Sequence, residues 1–328
     1  MRQLASIQKI KKLESIPDAD AIVKATVLGW QLVVKKDEFK EGDLCVYVEI
    51  DSLLPHKPEF EFMRPRAFRV RTIRLRGQIS QGICFQLSIL PAEVFIEEGA
   101  DVTAVLEIEK YEPPVPANLS GIMKGNFPSF IPKTDETRVQ VLQEQLDKMK
   151  DEPCYVAEKL DGTSVTYFIK DGVFGVCSRN LELIESDDNT LWKLARELQV
   201  EEKLRALNSN YALQGELIGE GVQGNKYKLK GQQVFFFSVF DIDAYRFLSF
   251  SDFIKMISDM NLTTVPVLES NYVLSNSIEA LVNKSAGKSV LYNVDREGIV
   301  IRPLIERTDK TGRVSFKAIN PEFLLKYE

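Results

Sequence analysis

The chain has 328 residues, 44% hydrophobic and 27% charged, an ordinary globular composition long enough for more than one domain. Its longest apolar runs, such as VFFFSVF, are far too short to cross a bilayer, and the opening MRQLASIQKIKKLESI lacks the features of a secretory signal. A single histidine, His56, excludes mechanisms built on several histidines, and four scattered cysteines without a C-x-x-C pair argue against zinc sites and disulfide frameworks.

These features lead to the expectation of a soluble, intracellular, cytoplasmic protein with reduced cysteines in its cores. His56, between two prolines in LLPHKPEF, reads as a loop residue rather than a general base. The net charge of -6 would ordinarily disfavour a nucleic-acid partner. Charge is unevenly distributed, however: between Glu61 and Glu93 there is no acidic residue, and that window holds Arg64, Arg66, Arg69, Arg71, Arg74 and Arg76.

The first part is rich in strand patterns. AIVKATVLGWQLVVKK, DLCVYVEID, FRVRTIRLR and GICFQLSIL are separated by turns at 40–43, 54–58 and 77–82, a spacing that predicts a small β-barrel of the OB type over residues 1–111. Arg69, Arg71, Arg74 and Arg76 are expected to contact a nucleic-acid backbone. Strict alternation spreads them over more than one surface, so a bulge or twist is needed to reunite them. The proline-rich YEPPVPANLSG at 111–121 reads as a linker, with the second domain over 112–328.

In ETRVQVLQEQLDKMK, Val139, Leu142, Leu146 and Met149 recur at helical spacing, with Thr134-Asp135 as capping side chains. Strands dominate from Tyr155 onward: YVAEK, SVTYFIK, VFGVCSR, YALQGELIG, QVFFFSVFDI and REGIVIRP, with helices near 188–207, 251–260 and 277–285. The second domain is therefore α+β with mostly antiparallel sheets.

Lys159 sits where the strand YVAEK gives way to an Asp-Gly turn. A lysine drawn partly out of water becomes a better nucleophile as its pKa falls. K-x-D-G alone is a weak signal, but four further pieces place charged residues beside apolar strands: VCSRN, LQGELIGEG, REGIVIRP and VSFKAIN. Unpaired buried charge is costly, so these groups should share a polar cleft. Carboxylates that hold hydrated Mg²⁺ and cations that neutralise phosphate would suit a metal-bound triphosphate.

In order and type these pieces resemble the motifs of the covalent nucleotidyltransferase superfamily. They are Lys159-Leu160-Asp161-Gly162, Ser178-Arg179-Asn180, Gly215-Glu216, the segment Phe236 to Asp241, Glu297 to Arg302, and Phe316-Lys317. An OB module placed first, with only eleven residues after Lys317, resembles the ATP-dependent RNA ligases that seal 3′-OH/5′-phosphate nicks.

The resemblance implies that Lys159 attacks the α-phosphorus of ATP, with Lys317 nearby to lower its pKa and hold the α-phosphate. It implies that Asp161, Glu216 and Glu297 serve Mg²⁺ or Mn²⁺, and that Glu158, Arg179, Glu216, Glu297 and one aromatic serve the nucleotide. Phe237 is chosen as the aromatic stacked on adenine, because alternation pairs it with Phe235 on one face and sets Phe236 with Phe240 on the other. Arg138 is expected at the ribose or the 5′-phosphate strand, or else as a solvated helix residue. The related K-x-K motif departs to Lys317-Ala318-Ile319 here, so either Lys317 works alone or Arg313 or Lys326 replaces the second contact.

The expected partner is a nicked RNA or RNA–DNA duplex bound by a monomer, with no membrane. The second domain is expected to adenylylate itself with little help from the first. The alternatives are a DNA ligase, a capping guanylyltransferase, or a non-catalytic OB-fold RNA-binding protein.

Overall fold

The computed structural model describes residues 3–112, 121–309 and 312–327. Its first sheet is five-stranded and antiparallel, in the order Trp30–Lys35, Ala19–Val27, Ala5–Ile16, Leu44–Val48 and Ile83–Phe85. It curls around Ile7, Ile10, Trp30, Leu32, Tyr47 and Ile50, all fully enclosed, giving the OB-type barrel expected of the strand spacing.

The opening strand had no counterpart among the expected elements. Leu4, Ile7, Ile10 and Leu13 recur every third residue, which masks a period of two, and a register shift between Ile10 and Lys12 explains the broken alternation. In FRVRTIRLR only Thr72–Leu75 is strand, paired in a hairpin with Gln78–Gln81. His56 stacks on Phe68 with ring centroids 4.1 Å apart. All four cysteines are buried free thiols.

The remainder is built on two sheets. A seven-stranded antiparallel sheet runs Met123–Asn126, Leu181–Leu183, Val173–Cys177, Thr163–Lys170, Tyr211–Gly219, Gln232–Asp241 and Arg246–Phe247. A five-stranded sheet runs Thr137–Arg138, Phe316–Ile319, Gly298–Pro303, Pro153–Lys159 and Val267–Val273, antiparallel except for its first pair. The helices Thr190–Glu197, Val200–Arg205, Phe250–Asp259 and Ile278–Ser285 fall in the predicted windows. The fold class is α+β, and no helix among the described residues is long and apolar enough to cross a membrane.

The predicted helix after residue 134 is shorter than its periodicity suggests. Thr137–Arg138 is a strand, Val139–Val141 a single 3₁₀ turn, and only Gln143–Lys148 is α-helical. Thr134 and Asp135 therefore cap nothing. The cause is tertiary: residues 137 and 138 pair in parallel with Phe316 and Lys317, and strand pairing overrides the local helical pattern.

Most of the expected linker, residues 113–120, lies outside the described residues. The parts on either side of it share a core. Ile319, Phe323 and Leu324, from the last strand and the closing helix Pro321–Tyr327, are buried within the core of the first module. The Gly29 N–H donates to the Gln140 carbonyl at 2.8 Å, and a Cβ on Gly29 would sit only 2.8 Å from that same oxygen. The approach is so close that only glycine fits.

Candidate active site

Lys159 ends its strand opposite Gly298, which places the residue next to Glu297 on the neighbouring strand. Its Nζ donates to Glu297 Oε1 at 2.6 Å, with side chains 25% and 15% exposed. Burial alone would lower the Lys159 pKa, but Glu297, Glu216 and Asp161 together hold it above the ordinary lysine value. The expected lowering by Lys317 is thus overruled: the carboxylates crowd the amine more closely than the other cation does.

The turn after Lys159 joins the two sheets. Gly162 is required there, because a Cβ would collide with the Leu217 carbonyl oxygen. The turn lays Thr163–Lys170 against Tyr211–Gly219, with Ser164 opposite Glu216. Burial raises the Glu216 pKa to about 8 against the pull of Lys159, and Glu297 and Asp161 push it the same way. Burial likewise raises Glu297, whose second oxygen is buried without a hydrogen-bond partner. Asp161 is ion-paired with Lys226, and its N–H donates to the Tyr227 hydroxyl at 2.7 Å.

Lys317 comes up beside this group from the next strand, 15% exposed, with its Nζ 3.0 Å from Asp135 Oδ1. Burial lowers its pKa, and Arg138 and Lys159 lower it further, while Asp135 and Glu136 oppose them. Asp135 Oδ2 also lies 3.5 Å from Arg179 and 3.6 Å from Lys110. Burial tends to raise the Asp135 carboxyl, but Lys317, Lys110 and Arg179 hold it well below the usual carboxylate range. The adjoining cavity is lined by Lys110, Lys133, Asp135, Ser164, Thr166 and Arg179.

Beneath it, Arg302 is 2% exposed and ties the sheets together. It donates to Glu136 at 2.6 Å, to the Phe237 carbonyl at 2.7 Å, to Ser315 at 3.0 Å and to the Tyr155 hydroxyl at 3.3 Å. Burial costs the Glu136 carboxyl, yet Arg302 and Lys317 hold it down at about 2.

The structure therefore brings together Lys159, Asp161, Arg179, Glu216, Glu297 and Lys317. Phe237 shares a core with Phe235, as alternation leads one to expect, but Phe236 and Phe240 do not share one. The pairing of Gln232–Asp241 with Tyr211–Gly219 jumps from Gln214 opposite Ser238 to Gly215 opposite Phe236, leaving Phe237 in a bulge. The alternation reverses there: Phe236 and Val239 enter one core, whereas Phe240 leaves it for another. The half-buried Phe237 packs with Tyr155, Ala157 and Leu160, under an Arg302 guanidinium 5.7 Å from its ring. Glu158 is 1% exposed; one carboxylate oxygen accepts from the Val290 N–H at 2.9 Å and the other has no partner.

The arginines expected at nucleic acid are placed differently. Arg138 is neither solvated nor at the cleft surface: it is 8% exposed, 2.8 Å from Asp51 and 5.6 Å from the Trp30 ring, between the first module and the rest. Its strand is sandwiched at that junction, which buries the side chain. Arg69 is 11% exposed, 3.8 Å from Asp51, and lies over the Tyr111 ring. Arg71 is half-buried, and Arg74 pairs with Glu322 of the closing helix at 2.5 Å. Arg76 is exposed, as are Arg64 and Arg66.

Neither proposed substitute for the second lysine reaches Lys317. Arg313 is held by Glu306 and Ser238 over the Phe247 ring, and Lys326 faces Asp295. Ile319 itself is core. The residues that sequence reasoning missed are Lys110, Lys133, Asp135, Glu136 and Lys226, each in a loop or at a short strand's edge with no periodic signal.

An OB barrel joined to a two-sheet α+β domain, with a lysine clamped among carboxylates at the sheet junction, defines a nucleotidyltransferase-type frame. Residues 152–319 match the family model of RNA ligases and residues 4–87 that of an OB-fold domain. The chain belongs to the RNA ligase family.

Several solved structures of an RNA ligase from Naegleria gruberi are similar to it. A mutant without ligand is 40% identical, with a TM-score of 0.92 over 98% of this chain and 97% of that one. A mutant with ATP and Mn gives the same identity and TM-score over 98% of both chains. The form with PPi does so over 99% of this chain and 98% of that one. No curated protein matches the chain.

Proposed function

We propose that this chain is an ATP-dependent RNA ligase that seals 3′-OH/5′-phosphate nicks in a duplex, acting as a monomer through lysyl-AMP and a 5′-adenylylated strand. The observation that carries this reading is Lys159 on Glu297 at 2.6 Å, with Glu216, Asp161 and Lys317 around the pair. The Naegleria gruberi structures with ATP and Mn support it.

In the first step the deprotonated Lys159 amine bonds to the α-phosphorus of ATP, the bond to the bridging oxygen breaks, and pyrophosphate leaves. Glu297 is the nearest proton acceptor. Lys317 neutralises charge gathering on the α-phosphate, which is most of what such a transfer needs. A 5′-phosphate oxygen then attacks the same phosphorus and releases Lys159. Finally the 3′-OH attacks the 5′-phosphate, and AMP leaves.

The carboxylates fit a divalent cation. Two of them are raised by burial and by neighbouring carboxylates, Glu216 by Glu297 and Asp161 and Glu297 by Asp161, and Glu297 Oε2 is buried without a partner, so a cation would relieve both strains. No group of three His, Cys, Asp or Glu among the described residues stands close enough to ligate a bare ion. Glu216, Glu297 and Asp161 would therefore hold Mg²⁺, or Mn²⁺ in its place, through the ion's own waters. When bound, it would supply positive charge against the Lys159 ammonium and the α-phosphate.

Arg179 and the cavity beside it suit phosphate, and one unpaired Glu158 oxygen suits an amino group such as that of adenine. Arg64, Arg66 and Arg76 remain exposed for backbone contacts that would make binding salt dependent. The test is sealing of a nicked duplex with a labelled 5′-phosphate, comparing RNA with DNA strands on either side. Sealing confined to an RNA 3′-OH strand is expected; equal or better sealing of an all-DNA nick would contradict the RNA assignment.

A further inference from the structure

Three cations from separate segments converge on one partly exposed carboxylate. Asp135 meets Lys317 at 3.0 Å from the last strand, Arg179 at 3.5 Å from the loop before Leu181–Leu183, and Lys110 at 3.6 Å from the edge of the first module. Lys133 lines the same cavity, turned to Asn180 at 3.1 Å. The nearby Glu136 is spent on Arg302. Glu112 lines the cavity as well, but two carboxylates do not neutralise these four cations, so the cavity keeps a net positive character that suits a polyanion.

We propose that Asp135 is a positioning residue that stands in for a phosphate group. In the ligand-free protein its carboxylate holds Lys317, Arg179 and Lys110 around a common point, and the phosphates of the nucleotide then take these cations over. Without Asp135, the anions left near Lys317 are Glu136, which Arg302 already engages, and Glu297, on whose charge Lys317 already acts. Asp135 keeps it from that alternative. The same charge opposes the incoming phosphate, so Asp135 weakens anion binding while it orders the cations.

This inference rests on the proposed adenylylation for its kinetic part. Two measurements on Asp135→Asn and Asp135→Ala separate the two readings. In calorimetric titration with inorganic pyrophosphate and Mg²⁺, removal of a like charge next to the ligand should tighten binding about tenfold at effective dielectric values of protein surfaces. In the lysyl-AMP assay, KM for ATP should fall and kcat should fall by about tenfold, with Asp135→Glu restoring much of kcat.

Pyrophosphate binding that is unchanged or weaker in both variants overturns the proposal, as does a kcat that survives both substitutions. A lysyl-AMP assay silent in the unmodified protein would count against the ligase reading alone. The pyrophosphate titration would still decide the role of Asp135.

Discussion

Arg138 and Lys317 are register partners in adjoining parallel strands, yet their charged ends part company: Lys317 meets Asp135 at 3.0 Å in the cleft, and Arg138 meets Asp51 at 2.8 Å at the junction with the first module. The strand pair thus carries one charge for chemistry and one for assembly.

Asp51→Asn should therefore destabilise the whole chain. Removing one member of a buried ion pair leaves the other charge uncompensated, a loss of about 3 kcal/mol or more. Urea unfolding reads this directly as a fall in midpoint at constant slope, and Arg138→Met in the same background should recover part of it.

Truncation before residue 111 should cost more than nucleic-acid binding. The sequence suggested that the second domain would adenylylate itself with little help from the first, but Ile319, Phe323 and Leu324 are buried in the first module's core. Their exposure removes the packing that seats the strand bearing Lys317. The truncated protein should associate on size exclusion and form lysyl-AMP more than about tenfold more slowly, as expected when a catalytic group is misplaced. Labelling at the full-length rate would refute the shared-core account.

Glu216 should make the ligand-free protein less stable as pH rises. Its folded pKa of about 8 exceeds the ordinary glutamate value of 4.5, so the folded state binds more protons between those limits. The stabilisation is complete below the unfolded pKa and is lost as pH climbs through about 8. Glu216→Gln should flatten this fall, with the variant the more stable of the two at pH about 8.5. Mg²⁺ should stabilise the unmodified protein there and have little effect on the variant. Thermal melts across pH, with and without the ion, measure both.

Much of this site could be read from order and type alone. Lys159, Glu216, Glu297 and Lys317 lie on strands whose apolar periodicity locates them, and a charge on such a strand has few places to go. The first strand was illegible because Leu4, Ile7, Ile10 and Leu13 recur at intervals of three over a register shift. Phe240 was placed on the face of Phe236 because a bulge leaves no mark in QVFFFSVFD. Asp135 read as a helix cap because capping side chains and an ion-pair partner are the same residue types. The arginine run read as a surface because burial of Arg69 depends on Asp51 and Tyr111, neither of them adjacent in sequence.

The central claim is that Lys159 is the nucleophile of an adenylyl transfer. Purified protein is incubated with Mg²⁺ and α-labelled ATP or α-labelled GTP, then run on a denaturing gel beside Lys159→Ala. The account predicts covalent label from ATP, little or none from GTP, and none in the variant. Label from GTP in preference to ATP, label that survives in Lys159→Ala, or no label in protein demonstrated to be folded would contradict it.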